Sequence, residues 1–306
     1  GLFLAPLGTA SFEELVEIYA EQAAALEEAG VDLFVIETMM TLPEARAALL
    51  AVRSVSKKPA LVSFTCDEHG KTLTGTDAAA ALVVMQGMGA DAFGLNCSVG
   101  PRDILAQIER LRPWAEIPLL AKPNAGLPEV VDGRTVYDCP PDEFAATARA
   151  FSEAGVAFFG GCCGTDEGHI SALRSALEGV TPAENAPDFG GRLPCASEKE
   201  ARFITPDVDV GETIQCTDHL MEDILEAEED RPVGALKIEV LDTDDLEIFA
   251  REQYAVRDAL CLWSDVPELL EGALRAYQGR AFYDGTAELE PEFLARMSEK
   301  YGLILL

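Results

Sequence analysis

Apolar runs and amphipathic stretches alternate along the first 180 residues of this chain. Strand-like runs fall at 2–6 (LFLAP), 31–37 (VDLFVIE), 60–65 (ALVSFT), 91–95 (DAFGL), 118–122 (PLLAK) and 156–159 (VAFF). Helix-like stretches follow each, at 11–29, 43–55, 77–88, 102–112, 141–154 and 166–178. The first helix carries Phe12, Leu15, Tyr19 and Ala23 at the three- and four-residue spacing of one buried stripe. Pro43, Asp77, Pro101 and Asp166 mark helix starts, and Gly30, Gly89 and Gly155 mark stops. Continuous apolar strands alternating with helices predict an α/β fold with a parallel sheet covered by helices.

An open doubly wound sheet and a (β/α)8 barrel both fit these six units. Two details favour the barrel. The first strand is not followed by G-x-G-x-x-G, the fingerprint of dinucleotide binding. Nearly every strand also exits into a polar or reactive residue: Glu37, Asn96 with Cys97, Asn124, and Cys162 with Cys163. In a barrel these exits share one rim, where active sites are built. The expectation is a TIM-barrel-type fold over residues 1–180, of which six β/α units are seen.

Residues 181–203 interrupt the alternation with Pro, Gly, Ala and charge, and read as a linker. Beyond it, over 204–306, a smaller α/β segment is predicted. Its strands are expected at 235–241, 259–263, 280–283 and 302–306, and its helices at 212–229, 243–256, 266–278 and 288–300.

Charge narrows the function classes. A net charge of −31, from 54 acidic and 23 basic residues, argues against nucleic-acid binding, which needs a basic face. No apolar run approaches the roughly 20 residues of a membrane span. Residues 1–8 lack the basic start of a signal peptide, so a cytoplasmic protein is expected. The eight cysteines then read as reduced thiols, some of them packed as small hydrophobes.

Three cysteines stand apart. Cys97 follows one strand, and Cys162 with Cys163 follow a strand two further along the rim. Three thiolates meeting at one point make a zinc arrangement that lacks its fourth ligand, and so leaves a corner for substrate. The glycines of "GLNC" and "GGCCG" allow the backbone to turn the sulfurs together. The alternative is that these are buried core thiols, since the spacing is not a standard short zinc motif.

"GLNCSVGP" followed by "GGCCGT…HI", together with "DLFVIETM" (32–39), "TLTGT" (72–76) and "KPNAGLP" (122–128), resembles the homocysteine S-methyltransferase family. That family includes betaine–homocysteine methyltransferase and the homocysteine module of cobalamin-dependent methionine synthase. The resemblance covers residues 1–180. It implies a (β/α)8 barrel with zinc on Cys97, Cys162 and Cys163, Glu37 on the amino group of homocysteine, and Asn96 and Asn124 as supporting residues. It implies methyl transfer to the homocysteine thiol, forming methionine. Methylcobalamin on a separate corrinoid protein, a methylated folate, and a sulfonium or betaine compound are the donors to consider. The alternative is a non-catalytic homocysteine- or zinc-binding module, a fragment of a larger methionine synthase.

The family's barrel begins with two further units, the first carrying an acidic residue for the substrate amine. Here the third unit comes first, so closure by the C-terminal segment or by a second subunit, as a homo-oligomer, is an expectation. The C-terminal segment more weakly resembles a folate-binding barrel, through "LLEGALRAYQGRAFYDGT" (269–286), and reads as a degenerate remnant. His169 reads as a helix cap or surface residue, His69 as solvated, His219 as lying in the acidic helix 212–229 without a partner at ligand spacing, and Cys66 as core or rim packing. Cys139, Cys195, Cys216 and Cys261 carry no metal pattern, and Thr74 and Thr76 read as turn and cap residues.

Overall fold

The strand–helix alternation is present in the computed structural model, which describes residues 4, 8–230 and 234–306. The chain divides into two units, residues 1–78 with 90–187, and residues 79–89 with 188–306.

The first unit opens with α1 (Phe12–Glu28). Its start is a capping box: the Ser11 hydroxyl accepts from Glu14 N at 3.2 Å, and the Glu14 carboxylate accepts from Ser11 N at 2.7 Å. Then come β1 (Phe34–Met39) and α2 (Leu42–Val55), capped by Thr41 with a proline in its first turn. The buried small residues Ala45, Ala47, Ala48 and Ala51 of α2 permit close packing, and α1 lies along it. β2 (Ala60–Phe64) leads into α3 (Ala78–Gly87), whose residues from Ala79 group with the second unit. β3 (Ala92–Asn96), α4 (Pro101–Leu111) and β4 (Leu119–Lys122) follow. A hairpin of β5 (Pro128–Val131) and β6 (Arg134–Tyr137) precedes α5 (Pro141–Ala145), α6 (Ala148–Glu153), β7 (Val156–Phe159) and α7 (Glu167–Ala176).

The sheet order is β1-β2-β3-β4-β7, parallel throughout. Among the described residues its end strands do not pair with each other, so the structure holds five adjacent strands of the expected barrel and no closure. The first predicted strand, 2–6, lies outside the described residues except for Leu4, which bridges Ala10.

Register sorts the side chains. Val35 pairs with Leu61, Leu61 with Ala92, Ser63 with Gly94, Gly94 with Leu120, and Asn96 with Lys122. These residues share one face, and with period-two alternation so does Glu37. The opposite face carries Phe34, Ile36, Phe64 and Phe93, all buried, with the last two rings 5.6 Å apart. The polar residues at the strand exits therefore sit on one face at one end of the sheet.

In two segments the structure holds a hairpin where none is expected. The β5–β6 hairpin interrupts what reads as a plain strand-to-helix connection. Its turn is Asp132–Gly133, with φ of 50° and 73°, the left-handed pair that a two-residue hairpin needs. Within the predicted linker, β8 (Leu193–Ala196) pairs antiparallel with β9 (Ala201–Ile204). Pro194, Cys195 and Ala196 are buried there, so this Pro- and charge-rich stretch carries core residues that composition conceals.

The second unit continues with β10 (Thr213–Gln215), α8 (Leu220–Asp230), β11 (Ala235–Glu239), α9 (Thr243–Glu252), β12 (Ala259–Trp263), α10 (Pro267–Ala276), β13 (Phe282–Tyr283), α11 (Pro291–Tyr301) and β14 (Ile304–Leu305). Its strands pair in sequence order, all parallel. The start of the predicted helix 212–229 is instead β10, paired to β11 through Thr213, Ile214 and Gln215. Among the described residues no helix is long and apolar enough to cross a membrane.

Candidate metal centre

Cys97 leaves β3 directly after Asn96, and Cys162 and Cys163 leave β7 after Gly160 and Gly161. Strand β4 lies between them, and its exit, residues 122–125, fastens both sides. Cys97 N donates to Lys122 O at 3.1 Å, and Asn124 N donates to Val99 O at 3.1 Å. Cys162 N donates to Pro123 O at 2.8 Å, and Ala125 N to Cys163 O at 2.9 Å. The Asn124 side-chain oxygen accepts from Cys163 N at 3.1 Å, and the Thr165 hydroxyl donates to Cys162 O at 2.7 Å.

The outcome is three sulfurs in one place. The Sγ atoms of Cys97 and Cys163 lie 3.8 Å apart, those of Cys162 and Cys163 4.0 Å apart, and all three lie within 4.8 Å of one another. A tetrahedral ion with metal–sulfur bonds of about 2.3 Å holds its sulfurs about 3.8 Å apart. The spacing thus fits zinc, and three soft thiolates select zinc over hard cations. All eight cysteines are free thiols, so no disulfide competes for these sulfurs.

Backbone strain accompanies the site. Cys97 and Ser98 both adopt left-handed conformations, φ 65° and 59°, and Val99 N closes a tight turn onto Cys97 O at 2.7 Å. Non-glycine residues held there cost of order 1–3 kcal/mol each, and such strain clusters at functional sites. Burial, the largest cause, pushes the Cys97 thiol up to about 11, with the neighbouring sulfurs adding to it. Without a cation to offset its charge, that thiol stays protonated.

Asn96 is fully buried and acts as a hub. Its side-chain oxygen accepts from Thr38 N at 3.0 Å and from the Ser63 hydroxyl at 2.8 Å. Its amide donates to the Thr38 hydroxyl at 2.7 Å and approaches Cys162 Sγ at 3.8 Å. Thr38 is thereby held at φ 61°, where the β1–β2 register shifts between Ile36 and Met39. Bulges of this kind re-aim side chains beside active sites. Asn96→Ala is expected to destabilise the chain by about 2–4 kcal/mol, because Thr38 N and Ser63 are left without their partner. A thermal midpoint within about 2 °C of the parent protein would show the hub dispensable.

Glu37 lies at that bulge, and its carboxylate is ion-paired with Lys122 of β4. Since β1 and β4 are three strand spacings apart, of about 4.8 Å each, the pair reaches across the shared face of the sheet. Glu37 is half-exposed.

His169 caps α7. Its Nδ1 lies 2.7 Å from Asp166 Oδ1 and accepts from Asp166 N at 3.2 Å, while its Nε2 donates to Cys139 O at 3.0 Å. It is a buried cap rather than a surface residue. Burial pushes Cys66, Cys195, Cys216 and Cys261 up to about 12, as expected of packed thiols. His69 and His219 are exposed, beside Glu68 and Glu222.

The structure also adds a residue that the sequence reading passed over. Tyr137, the last residue of β6, lays its ring against Gly164, the residue after Cys163. Desolvation first, then Cys163, then the charges of Cys97 and Cys162 hold its phenol above the usual tyrosine range. The signal that would have found it is Asp132–Gly133 between the β-branched runs "VV" and "TVY", a hairpin signature.

The profile of the homocysteine S-methyltransferase family matches residues 3–177, more than half of the chain and nearly the whole of the first unit. The chain belongs to this family. Methionine synthase from Mycobacterium leprae (strain TN) is 33% identical over 183 residues, which is 58% of this chain and 15% of that protein. Methionine synthase from Mycobacterium tuberculosis (strain ATCC 25618 / H37Rv) is 32% identical over 190 residues, 60% of this chain and 16% of that protein. The match therefore spans about 15% of the length of these curated relatives. Among solved structures, the homocysteine methyltransferase MmuM from Escherichia coli in its apo form is 24% identical. It covers 55% of this chain and 57% of that one, with a TM-score of 0.46. In this member of the homocysteine S-methyltransferase family, the cysteines of "GLNC" and "GGCC" meet at one point in space.

Proposed function

We propose that this chain binds L-homocysteine at a zinc ion held by Cys97, Cys162 and Cys163, and that the homocysteine thiol is methylated there to give methionine. The observation that carries this reading is the sulfur triangle, whose 3.8 and 4.0 Å edges suit a tetrahedral ion with one corner left for a fourth sulfur. A zinc ion bound there supplies the positive charge that favours the thiolate form of that fourth sulfur.

The chain's own residues do the rest. Glu37 takes the substrate ammonium through its second carboxylate oxygen, with Lys122 fixing the first. Asn96 holds the bulge that aims Glu37. Asn124 clamps the backbone of Cys163 and so fixes the Cys162–Cys163 pair. In the transfer, the substrate sulfur gives up its proton to solvent and forms a bond to the methyl carbon as the bond from that carbon to the donor breaks, its electron pair staying with the donor.

The first sheet is read as part of a (β/α)8 barrel. The methyl donor is proposed to arrive from outside the chain, on a corrinoid protein as methylcobalamin or as a methylated folate. The second unit is read as a remnant without a folate site. At its strand exits, Lys237 bonds Asp284 at 2.5 Å and Thr286 at 3.0 Å, while Trp263 bonds Thr286 at 2.9 Å, so its own side chains occupy one another.

The test is zinc stoichiometry, calorimetric homocysteine binding, and methionine formation with each donor class. One zinc per chain and methionine formed from one donor are expected. Binding with no turnover for any donor would sink the catalytic reading. Glu37→Gln is expected to weaken homocysteine binding about 10-fold or more, the worth of one charge-assisted hydrogen bond, while leaving zinc content unchanged. Loss of zinc together with substrate would mean that Glu37 has been misassigned.

A further inference from the structure

We propose that Lys122 determines which thiols this site accepts: its ammonium takes the carboxylate of the amino acid whose own ammonium Glu37 takes, so the pair reads a zwitterion. The inference rests on the homocysteine reading above for the thiol and for Glu37, and extends it to a residue that narrows the substrate class.

Charge placement comes first. The five strands of the first sheet carry one acidic residue, Glu37, and one basic residue, Lys122. These two are ion-paired with each other, on the face that Asn96 shares and at the end of the sheet that bears the three cysteines. With 26% and 45% of their side chains exposed, Lys122 and Glu37 add little to stability as a pair. A lone pair of opposite charges, kept beside the sulfurs on an otherwise uncharged sheet, suits a ligand that carries both charges itself.

The stem of Lys122 marks where that ligand runs. It lies over Gly160: a Cβ there would stand 3.0 Å from Lys122 Cγ and 3.3 Å from Cε. Gly160 N donates to Ala121 O at 3.1 Å, and Cys97 N donates to Lys122 O at 3.1 Å. Lys122 is thus seated between the strand exit that delivers Cys97 and the one that delivers Cys162 and Cys163. From there its ammonium extends to Glu37. A molecule with its sulfur at the cluster and its ammonium at Glu37 passes along this side chain.

Electrostatics decides which end meets which. A lysine ammonium has three donors, and Glu37 engages this one from one side. An α-amino acid holds both of its charges on one carbon. With its carboxylate against Lys122 and its ammonium against Glu37, four charges of alternating sign close a ring, and each has two opposite neighbours. In the empty site the Lys122–Glu37 contact keeps either charge from standing alone. A carboxylate brought here without a cation would lose hydration and gain nothing in return. The substrate class is therefore a thiol bearing both a free α-ammonium and a free α-carboxylate.

The test uses the zinc-loaded whole chain, calorimetry, and three thiols: L-homocysteine, 3-aminopropanethiol, which lacks the carboxylate, and 4-mercaptobutyrate, which lacks the ammonium. Lys122→Met is expected to weaken homocysteine and 4-mercaptobutyrate about 10-fold or more, and to leave 3-aminopropanethiol as tight or tighter. Glu37→Gln is expected to show the reverse preference, weakening the amine and sparing the acid. Lys122→Gln carries the same comparison should Lys122→Met not fold. A merely structural Lys122 would not separate the acid from the amine. Equal binding of 4-mercaptobutyrate by parent and variant overturns the proposal, as does a parallel loss of both analogues, which would mean that Lys122 acts only through Glu37. Zinc lost together with the acid would assign Lys122 to support of the metal site and overturn it as well. A zinc-loaded parent chain that binds none of the three thiols would instead overturn the homocysteine reading itself, and this inference with it.

Discussion

Cys162→Ala is expected to lose zinc: chelator competition should register an affinity lower by more than about 100-fold, above the 10–100-fold typical of changes to outer partners of metal ligands. The reason is geometric as much as chemical. Cys162 Sγ lies 4.0 Å from Cys163 Sγ and 3.8 Å from the Asn96 amide, and no other His, Cys, Asp or Glu among the described residues joins this group of three. With the sulfur gone, two thiolates remain, too few for even the three protein ligands of an open catalytic zinc site. The metal-free fold should change little, by less than about 1 kcal/mol, because Cys162 is only half-buried. The parent chain should gain thermal stability on adding zinc, about 2.7 kcal/mol at a hundred times its dissociation constant, and the variant should not. Cys66→Ala serves as the control, since that thiol is buried outside the cluster and its loss should leave zinc binding untouched. Unchanged metal content in Cys162→Ala would remove Cys162 from the ligand set, and with it the functional reading.

Gly94→Ala is expected to be the most damaging single methyl in the first unit. A Cβ at Gly94 would lie 1.8 Å from Leu120 O and 2.7 Å from Leu120 Cβ. The first of these is backbone of the neighbouring strand, with no flexible side-chain end to swing away. Strand β4 must move, and β4 leads directly into the 122–125 segment that fastens Cys97 on one side and Cys162 on the other. A cost above about 3 kcal/mol is expected, beyond the usual range for overpacking. For a unit of this size that lowers the thermal midpoint by about 10 °C. Zinc affinity should fall in the same variant, because the sulfur spacing is set by that exit. Thermal unfolding followed by circular dichroism, with chelator titration alongside, reads both effects. A variant that melts within about 2 °C of the parent and binds zinc normally would show that β4 yields easily, and that its exit does not set the site.

These two variants probe different layers, and the layers differ in how far the sequence exposes them. Helix positions were legible almost to the residue: 43–55 was expected where α2 runs Leu42–Val55, and 102–112 where α4 runs Pro101–Leu111. Proline, glycine and capping residues are local signals, and these helices obey them. The β5–β6 hairpin was passed over although its Asp–Gly turn is a local signal too, because the surrounding pattern reads as one connection between a strand and a helix. The hairpin at 193–204 was hidden more deeply: Cys195 and Ala196 are buried there by tertiary packing that the neighbouring Pro, Lys and Glu give no reason to expect. Tyr137 followed the first of these omissions out of view.

The sequence by itself determined the α/β alternation, the strand exits as the place for chemistry, and the motifs that mark the family. Each is written in contiguous residues, through periodicity, punctuation or a short string. The tertiary structure alone decided that sulfurs 65 residues apart in the chain stand 3.8 to 4.0 Å from Cys163, that Lys122 holds Glu37, and that Tyr137 lies over Gly164. Those distances depend on strand register and on the backbone hydrogen bonds of the β4 exit. They are sums of many small non-local terms, and no short stretch of chain encodes them.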